Sequence, residues 1–240
     1  MTTPYKDSNK TKKEQVATMF NNIAHKYDFL NHALSLGIDT LWRKKAIKAI
    51  SHLNPQKILD VATGTGDFAI TAAKKLLPQE IIGVDISEGM LTKGREKVAQ
   101  KQLDSIIKME LGDSENLKYE SEYFDVSLTG FGVRNFENLQ KGLQEIHRVL
   151  KPNGVACILE FSKPEKFPIK QLYFFYFKKI LPFVGKIFSK DNSAYTYLPD
   201  SVEEFPYGQR FAKEAEKAGF KNTKITSLSF GIANLYVCEK

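Results

Sequence analysis

Two spacings of apolar residues alternate along the chain. Ile58, Leu59 and Val61 make a short apolar run around Asp60, a glycine turn follows, and residues 68–77 then carry apolar positions at helical spacing. A second run at residues 81–85 completes a strand–helix–strand unit, whose crossover requires the two strands to lie parallel. Ser87 is placed to cap the next helix, where Met90 and Leu91 are apolar and Gly94 is a weak point. Residues 106–111 read as a third strand ending at Gly112 and Asp113, and residues 124–128 as a fourth. Leu139, Leu143, Ile146 and Leu150 mark one face of a helix that stops at Lys151-Pro152-Asn153-Gly154. Residues 155–161 give a buried fifth strand, residues 202–219 a helix ending at Gly219, and residues 224–230 with 233–238 a closing antiparallel pair. Together these predict an α/β fold with a doubly wound, mostly parallel seven-stranded sheet and helices on both faces.

Ahead of the sheet, Phe20, Ile23, Tyr27 and Leu30 share one helical face, which predicts a helical cap over residues 12–50 that covers the site. Residues 1–15 are polar and lysine-rich, reading as a frayed lead-in without a secretory signal and hence as a cytoplasmic protein. With 240 residues and 42% hydrophobic content, one domain spanning 1–240 is expected. Cys157 and Cys238, like His25, His32, His52 and His147, match no disulfide framework or metal-ligand spacing.

The net charge of +7 is concentrated in residues 163–190, where seven lysines face one acid, Glu165. Phe167, Leu172, Tyr173, Phe174, Phe175, Phe177, Ile180, Leu181 and Phe183 are interleaved with them. The lysines and Pro182 break the run short of the roughly 20 apolar residues that a membrane span needs. An insertion over 163–200 is therefore read as a lid that admits a lipid-borne substrate and touches an anionic membrane peripherally. Packing on the protein's own core, or on a second copy in a homo-oligomer, is the other reading of the same residues.

The turn Asp60-Val61-Ala62-Thr63-Gly64-Thr65-Gly66 lies where a nucleoside binds, and Gly64 to Ala69 formally satisfies the dinucleotide pattern GxGxxA. The glycines alone fit a dinucleotide oxidoreductase or an S-adenosylmethionine enzyme. A pyrophosphate would rest on helix-terminal N–H groups, where the helix dipole favours negative charge. Asp60 and Asp67, one on each side of the turn, would repel it, and both favour the ammonium and sulfonium of S-adenosylmethionine. Asp85, 19 residues past Gly66 at a strand end, suits the ribose hydroxyls of either cofactor, and Asp113 with Ser114 suits the adenine.

After the fourth strand, Gly130-Phe131-Gly132-Val133-Arg134-Asn135 lies at the carboxyl edge where such sheets hold ligands. Arg134 is the candidate catalytic residue: it can hold an acceptor oxygen and lower its pKa, but with its own pKa above about 12 it is no free base, and a structural arginine that caps loop carbonyls or pairs with Glu137 is the other reading. The (Asp/Asn/Ser)-Pro-Pro-aromatic loop expected for amino-group methylation of nucleic acid is absent, and Cys157 sits in an apolar strand as core. Nucleic acid is not the expected partner.

Tyr27-Asp28-Phe29-Leu30-Asn31-His32-Ala33-Leu34-Ser35, running to Trp42, and Arg148-Val149-Leu150-Lys151-Pro152-Asn153-Gly154, running to Glu160-Phe161-Ser162, are far more specific than a glycine turn. On these the chain resembles the ubiquinone/menaquinone biosynthesis C-methyltransferase family, from about Lys12 onward. Asp39 stands where a histidine is usual, Asn153 replaces a glycine, and Gly130 falls where many members have a donor-contacting serine, so Gly130 is not carried over. The resemblance implies a Rossmann-like class I methyltransferase fold with S-adenosyl-L-methionine as the cofactor. Thr65, Asp85, Asp113 and Ser114 are then its contacts, beside Asp60, Gly64 and Gly66. It implies methylation of a ring carbon on a prenylated quinol, demethylmenaquinol to menaquinol in the menaquinone branch. Asp191-Asn192-Ser193-Ala194-Tyr195-Thr196-Tyr197 resembles the family segment after the lid, which puts Tyr195 and Tyr197 with Arg134 and Asn135 at the acceptor. A benzoquinol acceptor, and a lipid-binding subunit that keeps the fold without turnover, stand as alternatives. Carbon methylation of a quinol requires a phenolate and a positioned donor, and no metal.

Overall fold

The computed structural model describes residues 2–6, 8–35, 37–176 and 193–240, and within these the side chains of residues 26, 28–34 and 193–195 lie outside the description. Leu30, His32 and Tyr195, and the lid residues Phe177, Ile180, Leu181, Pro182 and Phe183, therefore lie outside the described residues or side chains.

Seven strands form one sheet among the described residues: β1 (Lys57–Val61), β2 (Glu80–Asp85), β3 (Ile107–Leu111), β4 (Phe124–Gly130), β5 (Leu150–Phe161), β6 (Lys221–Leu228) and β7 (Ala233–Glu239). Their order is β3-β2-β1-β4-β5-β7-β6, with β7 antiparallel to both of its neighbours and the other pairs parallel. The chain winds outward from β1 through β2 to β3, then crosses back to β4 on the other side of β1. That reversal opens a crevice at the carboxyl ends of β1 and β4, the place where open α/β sheets bind ligands.

Alternation along β1 divides the core. Ile58 points to the side packed by Trp42 and Ala46 of α2 (Ile38–Ile50), Phe68 and Ala72 of α3 (Asp67–Leu76) and Leu91 of α4 (Glu88–Gln100). Leu59 and Val61 point to the side packed by Leu143 and Ile146 of α5 (Leu139–Val149). Each such side chain, fully withdrawn from water, contributes about 1.5–3 kcal/mol. Ser87 caps α4 as expected, its hydroxyl accepting from the Met90 N–H at 3.3 Å. Gly94 has a steric reason to be there: a Cβ at this position would lie 2.3 Å from Cε of Met109 on β3.

Two expectations fail. The helix read over 202–219 is two helices, Ser193–Glu204 and Gln209–Lys217, parted at Pro206 and at Gly208, whose φ of 65° and ψ of −134° are not helical. Proline lacks the N–H that a continuing helix would use, and the freed Gly208 N–H donates instead to the Tyr236 hydroxyl at 2.7 Å. Numbered in chain order after α5 (Leu139–Val149) and α6 (Ile169–Phe175), these are α7 and α8, and α8 adds Phe211 and Ala215 to the α5 side of the sheet. Nor is the lead-in frayed. The Thr2 N–H donates to Glu204 on α7 at 2.7 Å, the Tyr5 N–H donates to Gln15 at 2.9 Å, and Pro4 is buried.

The cap is tied down near the crevice. On α1 (Lys12–Leu34), Asn21 accepts from the Ser87 hydroxyl and the Gly89 N–H, both at 2.8 Å. Ile23 and Ala24 pack on Met90, while Val16 and Met19 pack on Tyr197 of α7. The start of α4 and the body of α7 thus hold α1 across the carboxyl edge of the sheet.

Candidate active site

The turn after β1 folds back because Gly64 and Gly66 take φ of 56° and 79°, a region that costs glycine nothing. Asp60, at 0% exposure, points from β1 toward α3. Its Oδ2 accepts from the Thr63 hydroxyl at 2.7 Å and from the Ala69 N–H at 3.0 Å, while its Oδ1 meets no hydrogen-bond donor among the described residues. Burial pushes the carboxyl up to about 7, against the pull of those two donors. Asp85 accepts from the Gly64 N–H at 2.8 Å and the Ser87 N–H at 2.9 Å, and burial raises it to about 6. Two carboxyls held partly out of water suit a cationic ligand, since a nearby positive charge restores the ionised form.

Asp67 behaves differently from its reading in the sequence. Lys97 Nζ lies 2.6 Å from its Oδ1 and Arg43 Nη2 lies 3.8 Å from its Oδ2, so most of its charge is already answered. The same Lys97 donates to the hydroxyl of Thr65 at 3.1 Å. The negative potential of the turn therefore rests on Asp60 and Asp85 and not on Asp67.

A cleft of about 640 Å³, counted out to its open mouth, runs between α1 and the carboxyl ends of β1, β2 and β4. Gly64, Asp85, Asp113, Ser114 and Asn135 line it, and Asp60 and Thr65 line a smaller recess beside it. Gly66 shapes the turn but faces neither hollow. Two lining residues escaped the sequence reading. Lys13 reaches from α1 to Asp113 Oδ2 at 2.6 Å and to Glu115 at 3.4 Å, and Glu115 accepts the Glu137 and Asn138 N–H groups at 2.9 and 3.0 Å. Their pairing spans about 100 residues of chain, with no local pattern to announce it.

Arg134 lies behind Asn135 and does not line the cleft; it forms an ion pair with Glu160 at the end of β5, Nη1 to Oε1 at 2.8 Å. The two side chains are 8% and 0% exposed. Nη1 also donates to the Phe131 carbonyl, and the guanidinium stands over the Phe161 ring, 5.3 Å from its centre. Lys12 donates to the carbonyls of Arg134 and Phe136 at 3.2 and 2.9 Å, fixing the loop from the α1 side. Tyr173 of α6 and Tyr197 of α7 are buried close enough to feel both charges. Burial raises both phenols, that of Tyr197 to about 12.

Arg134 Nε, Asn135 Oδ1 and the Tyr197 hydroxyl, all buried, find no hydrogen-bond partner among the described residues. Each such group costs about 1–3 kcal/mol unless a ligand meets it. The sequence had offered Arg134, Asn135 and Tyr197 as acceptor contacts; Glu160 and Tyr173 had been noticed only as part of a signature and of an aromatic run.

An acid-lined cleft at the switch point of a seven-stranded sheet, with a buried polar cluster beside it, is the arrangement of a class I methyltransferase. In keeping with that, the fold superposes on a solved SAM-dependent methyltransferase from Thermotoga maritima with a TM-score of 0.64 at 20% identity, over 93% of this chain and 99% of that one. The chain belongs to the ubiE/COQ5 methyltransferase family, whose sequence pattern matches residues 8–240. It is 48% identical over 237 residues to the demethylmenaquinone methyltransferase of Bacteroides fragilis, covering 99% of this chain and 96% of the relative. It is 45% identical over 230 residues to the ubiquinone/menaquinone biosynthesis C-methyltransferase UbiE of Geobacter sulfurreducens, covering 95% and 90%.

Proposed function

We propose that the chain methylates a ring carbon of demethylmenaquinol to give menaquinol in menaquinone biosynthesis, with S-adenosylmethionine as the methyl donor. The observation that carries this reading is the juxtaposition of the acid-lined cleft with the buried Arg134–Glu160 pair and its unmet polar neighbours. The names of the relatives support the choice of acceptor.

When bound, S-adenosylmethionine supplies a methyl group already activated by its sulfonium. Asp85 receives the ribose hydroxyls, Asp113 and Ser114 face the adenine, and Gly64 lets the backbone come close. Asp60, with Thr65 and Gly66 shaping the turn, sets a negative potential under the cationic end. On the acceptor side, Arg134 holds the quinol oxygen and stabilises it as phenolate, which directs electron density onto the adjacent ring carbon. Buried as the pair is, such a preorganised charge counts for far more than in water. Asn135, Tyr195 and Tyr197 complete the contacts. The chain works as one domain, 1–240, in which 12–50 caps the donor and 163–200 admits the isoprenoid acceptor and excludes water.

The substrate carries a lipid tail, and the exposed apolar side chains around the lid are read accordingly. Phe167, Leu172 and Phe175 are 81%, 61% and 60% exposed, interleaved with Lys163, Lys166 and Lys170. No helix among the described residues is long and apolar enough to cross a membrane. The protein docks from the cytoplasmic side on an anionic leaflet, where each nearby lysine contributes about 1 kcal/mol. Flotation with anionic vesicles tests this; protein left at the bottom of the gradient rejects it.

The decisive assay supplies labelled S-adenosylmethionine and demethylated naphthoquinol or benzoquinol, kept reduced in lipid. Product from the naphthoquinol is expected. Product from neither overturns the reading in favour of a non-catalytic subunit, and product from both gives the chain the wider activity that the Geobacter relative's name describes.

A further inference from the structure

Turnover releases one proton for each methyl transferred, and Arg134 cannot take it. The geometry points to Glu160 as the base: its Oε2 receives the acceptor hydroxyl proton while Arg134 keeps the resulting phenolate. This inference rests on the quinol reading above.

The two oxygens of Glu160 are unequally used. Oε1 accepts from Arg134 Nη1 and from the Phe161 N–H, both at 2.8 Å. Among the described residues Oε2 accepts only the Arg134 N–H, at 3.3 Å. A carboxylate oxygen has room for two good donors, and this one, in a residue fully withdrawn from solvent, holds one weak bond. Arg134 Nε, Asn135 Oδ1 and the Tyr197 hydroxyl are unmet as well among the described residues, so the spare capacity of Glu160 belongs to a buried polar cluster that also offers donors for the phenolate.

Among the described residues, the groups facing Glu160 and Arg134 are Lys12 from α1, Tyr173 from α6, Tyr197 from α7 and Tyr236 from β7. The three tyrosines, raised by burial, hold their protons and Lys12 is engaged in donating to the carbonyls of Arg134 and Phe136, which leaves Glu160 as the one group among these placed to take a proton near neutral pH. Burial raises Glu160 too, against the lowering pull of Arg134, so its carboxylate is a better base than a solvated one.

The balance closes without a further reactant. The quinol O–H bond breaks and an H–Oε2 bond forms, leaving the phenolate facing a guanidinium whose carboxylate partner is now neutral. The phenolate's electrons form the new ring carbon–methyl bond as the sulfur–methyl bond breaks onto sulfur. The ring C–H proton then returns to the oxygen, restoring the hydroxyl. Glu160 sheds its proton to solvent once the product has left.

The test is the pH dependence of kcat/KM for the full chain and for Glu160→Gln and Glu160→Asp, with donor affinity measured by calorimetry. The wild type should lose activity toward low pH along an acid limb. Glu160→Gln should lose about 10²–10⁴-fold in kcat with unchanged donor affinity. Its acid limb should be replaced by a rate that climbs about tenfold per pH unit as the substrate ionises on its own. Glu160→Asp should regain part of the rate with the limb displaced. A Glu160→Gln variant that is slow but keeps the wild-type limb, or is as fast as wild type, overturns the assignment. If that variant fails to bind donor, an acid limb in Glu160→Asp at the wild-type pH overturns it instead. A wild-type chain inactive on every demethylated quinol overturns the acceptor reading, whereas an active wild type whose acid limb is unmoved in both variants overturns this inference alone.

Discussion

Asp60→Asn separates the demands of the donor site from those of the fold. In the folded protein burial raises the Asp60 carboxyl from its ordinary 3.8 to about 7. A raised folded-state pKa contributes stability that is fully present below the unfolded value and is lost as pH rises through the folded one. At 1.36 kcal/mol per pH unit, over the roughly 1.5 units between pH 5.5 and 7, the wild type should lose on the order of 2 kcal/mol from this group between pH 5.5 and pH 8. The amide removes that titration. Its oxygen takes the place of Oδ2 as acceptor from Thr63 and Ala69, and its NH2 takes the place of Oδ1, which has no donor to lose. Urea denaturation of both proteins at the two pH values is the assay. Whatever the substitution costs in packing cancels between the pH values, and Asp85 titrates in both proteins. Relative to wild type, the variant should gain about 2 kcal/mol on going from pH 5.5 to pH 8, while binding S-adenosylmethionine more weakly at pH 8. A stability difference that stays the same at both pH values would refute the claim that the buried carboxylate is held against its solvation.

Arg134→Met should abolish turnover and cost about 3–5 kcal/mol, because it leaves Glu160 charged and alone in the interior; adding Glu160→Leu should restore most of the melting temperature and none of the activity. Lys13→Met cuts the tie between α1 and Asp113, a half-exposed pair worth under about 1 kcal/mol, so stopped-flow mixing should show faster donor association with little change in stability, and an unchanged rate would mean that α1 does not gate the cleft. Leu143→Ala, in the core half away from α3 and the turn, should cost about 2–5 kcal/mol in denaturant while calorimetry finds donor affinity unaltered.

What was legible in the sequence follows the range of the interactions. The strand–turn–helix unit, the end-of-strand placing of Asp85 and Asp113, and the Ser87 cap depend on neighbours a few residues apart, and period and spacing report them directly. The break at Pro206 was equally local and was overlooked because apolar spacing continues on both sides of it. Contacts that join distant elements left no trace: Lys13 with Asp113, Lys97 with Asp67, and Glu160 with Arg134 are brought together only by sheet order and helix docking. Asp67 shows the consequence. From the sequence it adds negative charge to the turn, yet a cation 30 residues further on cancels most of that contribution.

Once Asp67 is discounted, the charged groups that matter are those the fold would be more stable without. Asp60 keeps an unmet oxygen, Asp85 is held partly out of water, and Arg134 and Glu160 form a buried pair. Pairs of this kind are often neutral or unfavourable against apolar residues of the same size. None of the four belongs to the apolar packing of either core half. Their common position, at the carboxyl edge of β1, β2 and β5 and the loop after β4, is where a cationic donor and an acidic hydroxyl would each find the opposite charge. The instability stored along that edge is therefore best understood as the part of the structure that ligands complete.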